Sequence, residues 1–369
     1  MSMRKVAQVA YSGPSGAADL CAALSIAGQR AGVPQALAFW GTESSPPDRI
    51  ARCESAGIAV SKLAKSRGFD APGQRAIKNW AAEHRNADAI VLHYPAALLP
   101  VWCSLRGRGR PKIVMMEHHP NALKRLHEWL LSALAFIVGD GVVYNTESYR
   151  TQVQRRLGPL FRAKRTAIIT NGLDLNRYRR QPQENHAARD TYTIGMSGRM
   201  MPVKDYRTLL LAFARMSKNN AQLRARLEFA GDGPMSEELK TLAGELGVSS
   251  QVTFLGLLPQ DDLIRRMWQW DVFCLSTYGE TQSLALMEAM ACGLPCLSTN
   301  VSGIKEVITS GQNGLLVERG DVDAMSQSLA MLVDAKARSR FAESALGTAE
   351  SRFSAAAMWT NYRNYLELL

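Results

Sequence analysis

The sequence predicts an α/β protein built from two doubly wound parallel-sheet domains, and three observations carry that expectation. Its 369 residues are enough for two domains, each with its own core. Apolar runs ending in polar or turn residues alternate with helical segments along the whole chain, the pattern of parallel strands covered on both faces. The alternation also breaks once, at a polar stretch, and then starts again.

The first series opens with "RKVAQVAYSG". Its apolar run is short and passes into turn residues, so it reads as a strand rather than a signal peptide. A helical "AADLCAALSIAGQRAG" and a strand "PQALAFW" follow, then the strands "ADAIVLHY", "PKIVMMEHH" and "DGVVYNT". "RTAIITNGLDLNRYRR" supplies the last strand of the series and a turn at Asn171–Gly172. "QPQENHAARDT" is polar and aperiodic, so it reads as linker, with the junction near 172–190. The second series runs "TYTIGMSGR", helix 205–217, "ARLEFAGDGP", helix 236–247, "QVTFLG", helix 260–268, "DVFCLST", helix 283–291 and "PCLSTN". In open α/β sheets ligands sit at the carboxyl ends of the strands, so two such domains are expected to face a shared cleft.

Composition narrows the class. With 46% hydrophobic and 21% charged residues the chain is of globular type, and no apolar run reaches the length of a bilayer span. The six cysteines (Cys21, Cys53, Cys103, Cys274, Cys292, Cys296) form no Cys-x-x-Cys pair and read as buried free thiols, in keeping with a reducing cytoplasm. The net charge of +11 is one-sided: residues 1–171 hold 23 Lys+Arg against 11 Asp+Glu, while residues 172–369 hold 21 against 22. Such a field suits an acidic partner, a phosphorylated lipid or an anionic membrane surface; the alternative is a solvated basic face with no partner. Nucleic acid is disfavoured, because no RNA-binding signature and no basic helix with interleaved aromatics is present.

The stretch "YGETQSLALMEAMACGLPCLS" (278–298) holds Glu280 and Glu288 with seven residues between them. Ser283 is the expected N-cap of "LALMEAMA", which puts Glu280 in the preceding turn and Glu288 in the second turn of the helix. Eight residues of helix span roughly 12 Å. That excludes an acid/base pair flanking one bond, where separations are about 5 to 10 Å. The two glutamates fit opposite ends of one extended ligand, with the helix N-terminus between them as an anion site. "SGRMMPVKDY" adds Gly198 at a strand end and two cations, Arg199 and Lys204, suited to a diphosphate. "FAGDGP" (229–234) places Gly231 at the same expected edge, where it lines a base or ribose or serves only as turn.

In order and spacing, "SGR…K", "FAGDGP", "VTFLG", the Glu-x7-Glu pair, "EAMACGLP" and "SGIKEVI…NGLLV" resemble the retaining glycosyltransferases of family four, which have the GT-B fold. The likeness covers nearly the whole chain and is strongest over 194–325. It implies an N-terminal acceptor-binding domain (1–173), a donor-binding domain (174–355) and a closing helix (356–369) that packs back on the first domain. By the same resemblance Glu288 holds the donor ribose. Glu280, with the backbone amides of Thr281, Gln282 and Ser283, holds the donor sugar. Arg199 and Lys204 bind the diphosphate and stabilise its departure, while Gly198, Gly231, Leu255 and Leu284 line the donor. "TQS" after Glu280 departs from the family's glycine- and aromatic-containing segment, so the donor sugar is not assigned.

"SGPSG" (12–16) resembles the family's glycine-rich loop with one glycine fewer, and assigns Gly16 to the donor. It is not the Rossmann dinucleotide fingerprint, which needs Gly-x-Gly-x-x-Gly and an acidic residue ending the second strand. "MEHHP" places His118 where the family often has a histidine near the donor sugar. His119 reads as a loop histidine, and His93 is a weaker counterpart. Asp321-Val322-Asp323 reads as helix-capping charge rather than a metal site, and the resemblance implies that no metal or other cofactor is required. The implied partners are a nucleotide-sugar donor, with UDP as the default, and a saccharide or lipid-linked glycan acceptor. The expected setting is surface-polysaccharide or lipopolysaccharide assembly at the cytoplasmic membrane. Arg106, Arg108, Arg110 and Lys112, with Lys124, Arg125 and Trp129 beside an apolar helix, are the candidate membrane contacts; a buried core helix is the alternative there. An epimerase of the same fold, or a non-catalytic nucleotide-sugar-binding protein, are the alternative functions.

Overall fold

The computed structural model describes residues 3–13, 15–68, 70–118, 121, 124–179 and 190–369. The chain divides into two compact units, residues 1–174 with 353–369, and residues 175–352. Most of the linker read at "QPQENHAARDT", together with His119, lies outside the described residues.

The first unit is a parallel sheet of seven strands: β1 (Val6–Ala10), β2 (Gln35–Gly41), β3 (Ala59–Ala64), β4 (Ala89–Leu92), β5 (Lys112–Glu117), β6 (Gly141–Tyr144) and β7 (Thr166–Ile168). Their spatial order is β3-β2-β1-β4-β5-β6-β7. Every residue of β1, β2 and β4 is buried, which is why these strands are continuous apolar runs in the sequence. β3, at the edge, alternates between exposed and half-buried positions, and its polar "AVSKLA" does not stand out as a strand. The closing helix Ala355–Leu368 belongs to this unit. It buries Trp359 and Tyr362, and the Tyr365 hydroxyl donates to the Arg165 carbonyl at 2.6 Å.

The second unit has six strands: β8 (Tyr192–Ser197), β9 (Ala225–Ala230), β10 (Val252–Gly256), β11 (Val272–Leu275), β12 (Cys296–Thr299) and β13 (Leu315–Val317). They are ordered β10-β9-β8-β11-β12-β13 and are again all parallel. Gly195 in β8 leaves room for the face of Trp270; a Cβ there would fall 1.9 Å from the indole. Asp321 caps the helix Val322–Met331 by accepting from the Ala324 amide at 2.8 Å, the role its position indicated. A long helix, Ala335–Arg352, was not marked by the sequence pattern.

Several surface expectations change. All six cysteines are free and five are buried, but Cys103 is exposed on the helix Leu98–Ser104. Arg110 is paired with Asp140 at 2.6 Å, Lys112 binds the Leu369 carbonyl, and the Arg106 guanidinium lies 4.4 Å from the Trp102 ring centroid. Lys124 is not a surface cation: its side chain is 2% exposed and its ammonium sits 2.7 Å from Glu117, which is equally buried. Ser132 and Tyr149 complete the carboxylate's bonds at 2.5 and 3.2 Å, and the ammonium also lies 4.8 Å from the Trp129 ring centroid. The helix Leu126–Val138 is half core and half surface, burying Ala135 and Phe136 while exposing Leu126, Leu130 and Ile137. Among the described residues no helix is long and apolar enough to cross a membrane.

Removing one member of a buried ion pair strands the other charge in an apolar surround. Lys124→Ala is therefore expected to lose about 3–5 kcal/mol in urea unfolding, and Glu117→Gln/Lys124→Met to recover part of it. A Lys124→Ala protein as stable as the parent would refute this account of the pair.

Candidate functional site

In the second unit the strand order reverses between β8 and β11, so the loops that follow these two strands lie side by side at the carboxyl edge. Hydrogen bonds to two backbone carbonyls lock them together. The Tyr278 amide and Thr277 hydroxyl both donate to the Val203 carbonyl, at 2.8 and 3.0 Å, and the Ser276 hydroxyl donates to the Asp205 carbonyl at 2.9 Å. The result brings Lys204 and Glu280 into an ion pair, with side chains 24% and 11% exposed. Asp205 turns the chain in a left-handed conformation (φ 45°) and caps the helix Tyr206–Asn219 through the Thr208 amide. Gly303 supports the Glu280 loop from beneath: a Cβ there would come 2.3 Å from the Glu280 carbonyl and 2.4 Å from that of Thr281.

The glycines at this edge have a packing role. The Gly198 amide donates to Ala230 and the Met200 amide to Asp232, each at 2.9 Å, so the loops after β8 and β9 lie backbone against backbone. A Cβ on Gly231 would fall 2.0 Å from the Gly198 oxygen, and one on Gly233 2.5 Å from the Met200 oxygen. Arg199, carried between them, is exposed, and its guanidinium has no ion pair among the described residues.

Ser283 caps the helix Leu284–Ala291 through the Leu286 amide, as its sequence position indicated, and Gln282 and Ser283 are buried beneath the turn. Glu288 lies in the second turn and is held from the side. The Tyr178 hydroxyl and the Gln260 amide nitrogen both donate to its Oε1 at 2.9 Å, and Trp268 Nε1 anchors the Tyr178 carbonyl at 2.9 Å. Burial and the Glu288 charge push the Tyr178 phenol well above its ordinary pKa, so it remains a donor. Leu255 in β10 and Leu284 at the helix start are both half-buried. Tyr178, Gln260 and Gly303 were not singled out from sequence, because each sits inside a segment whose apolar or turn character already explained it.

In the first unit Gly16 is exposed at the start of the helix Gly16–Arg30, which Ser15 caps. The buried Arg49 guanidinium braces this turn, meeting Asp19 at 2.9 and 3.0 Å and the Gly13 carbonyl at 3.1 Å. His118 follows β5 and His93 follows β4. His93 Nδ1 lies 3.0 Å from His118 Nε2, and the rings stack with centroids 5.2 Å apart. Among the described residues no group of three or more His, Cys, Asp or Glu has metal-holding geometry.

Comparison with known proteins identifies the family and the fold. The model for glycosyl transferases group 1 matches residues 178–347, and that for Glycosyltransferase Family 4 matches residues 14–177. The chain belongs to glycosyltransferase family four. A D-inositol 3-phosphate glycosyltransferase of Stackebrandtia nassauensis is 30% identical over 295 residues, covering 72% of this chain and 65% of that one. An N-acetyl-alpha-D-glucosaminyl L-malate synthase of Bacillus anthracis is 32% identical over 169 residues, 45% of this chain and 43% of that one. The matches thus span less than two thirds of these relatives' own length. Among solved structures, Anabaena HepE in complex with UDP and glucose superposes with a TM-score of 0.83 at 20% identity, over 100% of both chains. The two doubly wound sheets are those of the GT-B fold.

The His93–His118 pair carries a pH signature. Burial holds the His118 imidazole down to about 4; burial and then the His118 ring hold His93 well below the ordinary histidine value. Unfolded, both take protons near about 6.5. The folded protein binds fewer protons than the unfolded chain below that value, so stability is full above it and falls as pH drops toward about 4. Each histidine contributes up to about 1.4 kcal/mol per pH unit across this window. Urea midpoints measured from about pH 7.5 down to about pH 5 should show the decline, with a shallower slope in His118→Asn. Identical slopes in the two proteins would contradict it.

Proposed function

We propose that the protein is a retaining glycosyltransferase that moves a sugar from a nucleotide-diphosphate sugar to an anionic saccharide or lipid-linked acceptor. One observation carries this reading: the Lys204–Glu280 ion pair, with the exposed Arg199 in the same loop as Lys204, lies at the point where the strand order of the second unit reverses. Arg199 and Lys204 take the diphosphate and neutralise the charge that grows on it as the glycosidic bond breaks. Glu280 and the amides of Thr281, Gln282 and Ser283 take hydroxyls of the sugar, and Glu288, held by Tyr178 and Gln260, takes the ribose hydroxyls. The acceptor hydroxyl attacks from the face that the nucleotide leaves, and the departing phosphate accepts its proton. No protein nucleophile and no metal is required, since the two cations supply the counter-charge. UDP is the assigned nucleotide, by analogy with the UDP-bound HepE structure.

The acceptor assignment rests on charge. The basic excess lies entirely in residues 1–171, and the curated relatives are named for inositol phosphate and malate, both anionic. This favours transfer over a nucleotide-sugar epimerase, which needs no acceptor and no basic face. A lipid-linked acceptor of surface-glycan assembly at the cytoplasmic face of the membrane fits the exposed Leu126, Leu130 and Ile137 beside Arg125.

Lys204→Ala and Glu280→Ala are expected to lower kcat/KM by about a hundred- to a thousand-fold. In the parent protein UDP-sugar at a hundred times its Kd should stabilise by about 2.7 kcal/mol in thermal shift. Parent-like turnover in either variant would defeat the assignment. Sedimentation with vesicles separates the two acceptor classes. Preference for anionic over neutral lipid, weakened by Leu130→Asp, is expected for the lipid-linked class; no preference points to a small anionic acceptor.

A further inference from the structure

The carboxylate of Glu288 is held by a brace built wholly within the second unit. Glu288 is half-buried in the second turn of the helix Leu284–Ala291. Two donors from two other elements converge on its Oε1, each at 2.9 Å. One is the Tyr178 hydroxyl, from the helix Leu175–Tyr178; the other is the side-chain nitrogen of Gln260, the first residue of the helix Gln260–Met267. The same nitrogen lies 3.5 Å from the Tyr178 hydroxyl oxygen, so the three groups close a triangle. Behind them, Trp268 Nε1 donates to the Tyr178 carbonyl at 2.9 Å and Arg177 Nε donates to Asp261 Oδ1 at 2.8 Å. These bonds fasten Leu175–Tyr178 to the helix Gln260–Met267 and its C-cap.

Packing alone does not account for this arrangement. Tyr178 is 5% exposed, and phenylalanine would fill the same space without a polar atom to satisfy. A buried phenol must spend its O–H, and here it spends it on a carboxylate. A glutamate on a helix turns about several side-chain bonds, and a single donor would leave it free to swing. Two donors from separate elements fix the oxygen in place. Both donors are neutral, so neither cancels the charge of the carboxylate, and it keeps its strength as an acceptor.

We propose that Tyr178 and Gln260 are positioning residues that aim the Glu288 carboxylate at the ribose hydroxyls of the nucleotide, and that this aim makes the site select a ribonucleotide over its deoxy analogue. The part that concerns the ribose rests on the glycosyltransferase reading; the brace on the carboxylate is a property of the second unit itself. A carboxylate fixed in one pose discriminates. It rewards O–H groups presented along its acceptor directions, and a ligand without the diol forfeits those bonds.

Two measurements on the full-length protein test this. Calorimetric titration of the parent is expected to show UDP binding on the order of tenfold to a hundredfold tighter than 2′,3′-dideoxy-UDP, the scale of a hydrogen bond to a charged group. In Tyr178→Phe and in Gln260→Leu, UDP is expected to lose most of that advantage while the dideoxy analogue binds as it does to the parent. A merely structural role would weaken both nucleotides alike, and that result overturns the proposal. So does equal binding of the two nucleotides to the parent, or an undiminished preference in the variants. Ligand-free crystal structures of the parent and of the Tyr178→Phe/Gln260→Leu double variant judge the brace without any nucleotide. The Glu288 carboxylate is expected to leave its parent position in the double variant; a folded double variant that keeps it there refutes the brace. A parent that binds no UDP defeats the donor assignment instead, and the crystal comparison still decides the brace.

Discussion

The parallel direction of all strands in each sheet is the constraint on which the rest depends. Parallel strands are buried on both faces, so their side chains are committed to the core and cannot reach a ligand. Chemistry is left to the loops, and every loop that follows a strand opens at the same edge. Where the strand order reverses, between β8 and β11, two such loops start from neighbouring strands and meet at that edge. Lys204 and Glu280 come from those two loops, 76 residues apart in sequence. Their ion pair is thus a product of topology before it is a feature of local sequence. The Val203 and Asp205 carbonyls, bound by Ser276, Thr277 and Tyr278, turn that proximity into fixed geometry.

What was legible in the sequence follows the same division. The central strands could be read because burial on both faces demands unbroken apolar runs; β1, β2, β4 and β8 are of this kind. Edge strand β3, wetted on part of its surface, carries a lysine and a serine and did not declare itself. Ser283 and Asp321 could be read as caps because capping is local chemistry between residues three apart. The supports of Glu288 could not: Tyr178 is 110 residues away and Gln260 28, and neither spacing has a local meaning. Gly303 is legible only once the Glu280 loop lies above it.

The charge count needed the structure to be interpreted. Composition alone marks the first half of the chain as basic, but it does not say which cations face outward. Lys124 is sealed against Glu117, and Arg49 and Arg110 are paired with the partly exposed Asp19 and Asp140, so these charges are offset within the unit. The excess at the surface is carried by others, among them Arg125, Arg155 and Arg156, which are exposed. Arg125 immediately precedes the helix that leaves Leu126, Leu130 and Ile137 uncovered, and it is on this helix that the proposed lipid contact is placed.

Lys204 and Glu280 also show how a site can be ready for a charged ligand without an isolated charge in the fold. A cation held near a low-dielectric edge is costly unless it has a counter-ion, and Glu280 is that counter-ion. A diphosphate that approaches Lys204 must therefore share it with a carboxylate. Arg199, which has no ion pair among the described residues, can receive the anion first without breaking an existing contact. Under the proposed function, an exchange of Lys204 from carboxylate to phosphate would turn Glu280 toward hydrogen-bond donors, and sugar hydroxyls are the donors that a nucleotide sugar would bring to that end. In the reaction proposed above, one ion pair would thereby couple recognition of the two halves of the donor: the diphosphate would draw on Lys204, and the sugar would satisfy the carboxylate that Lys204 gives up.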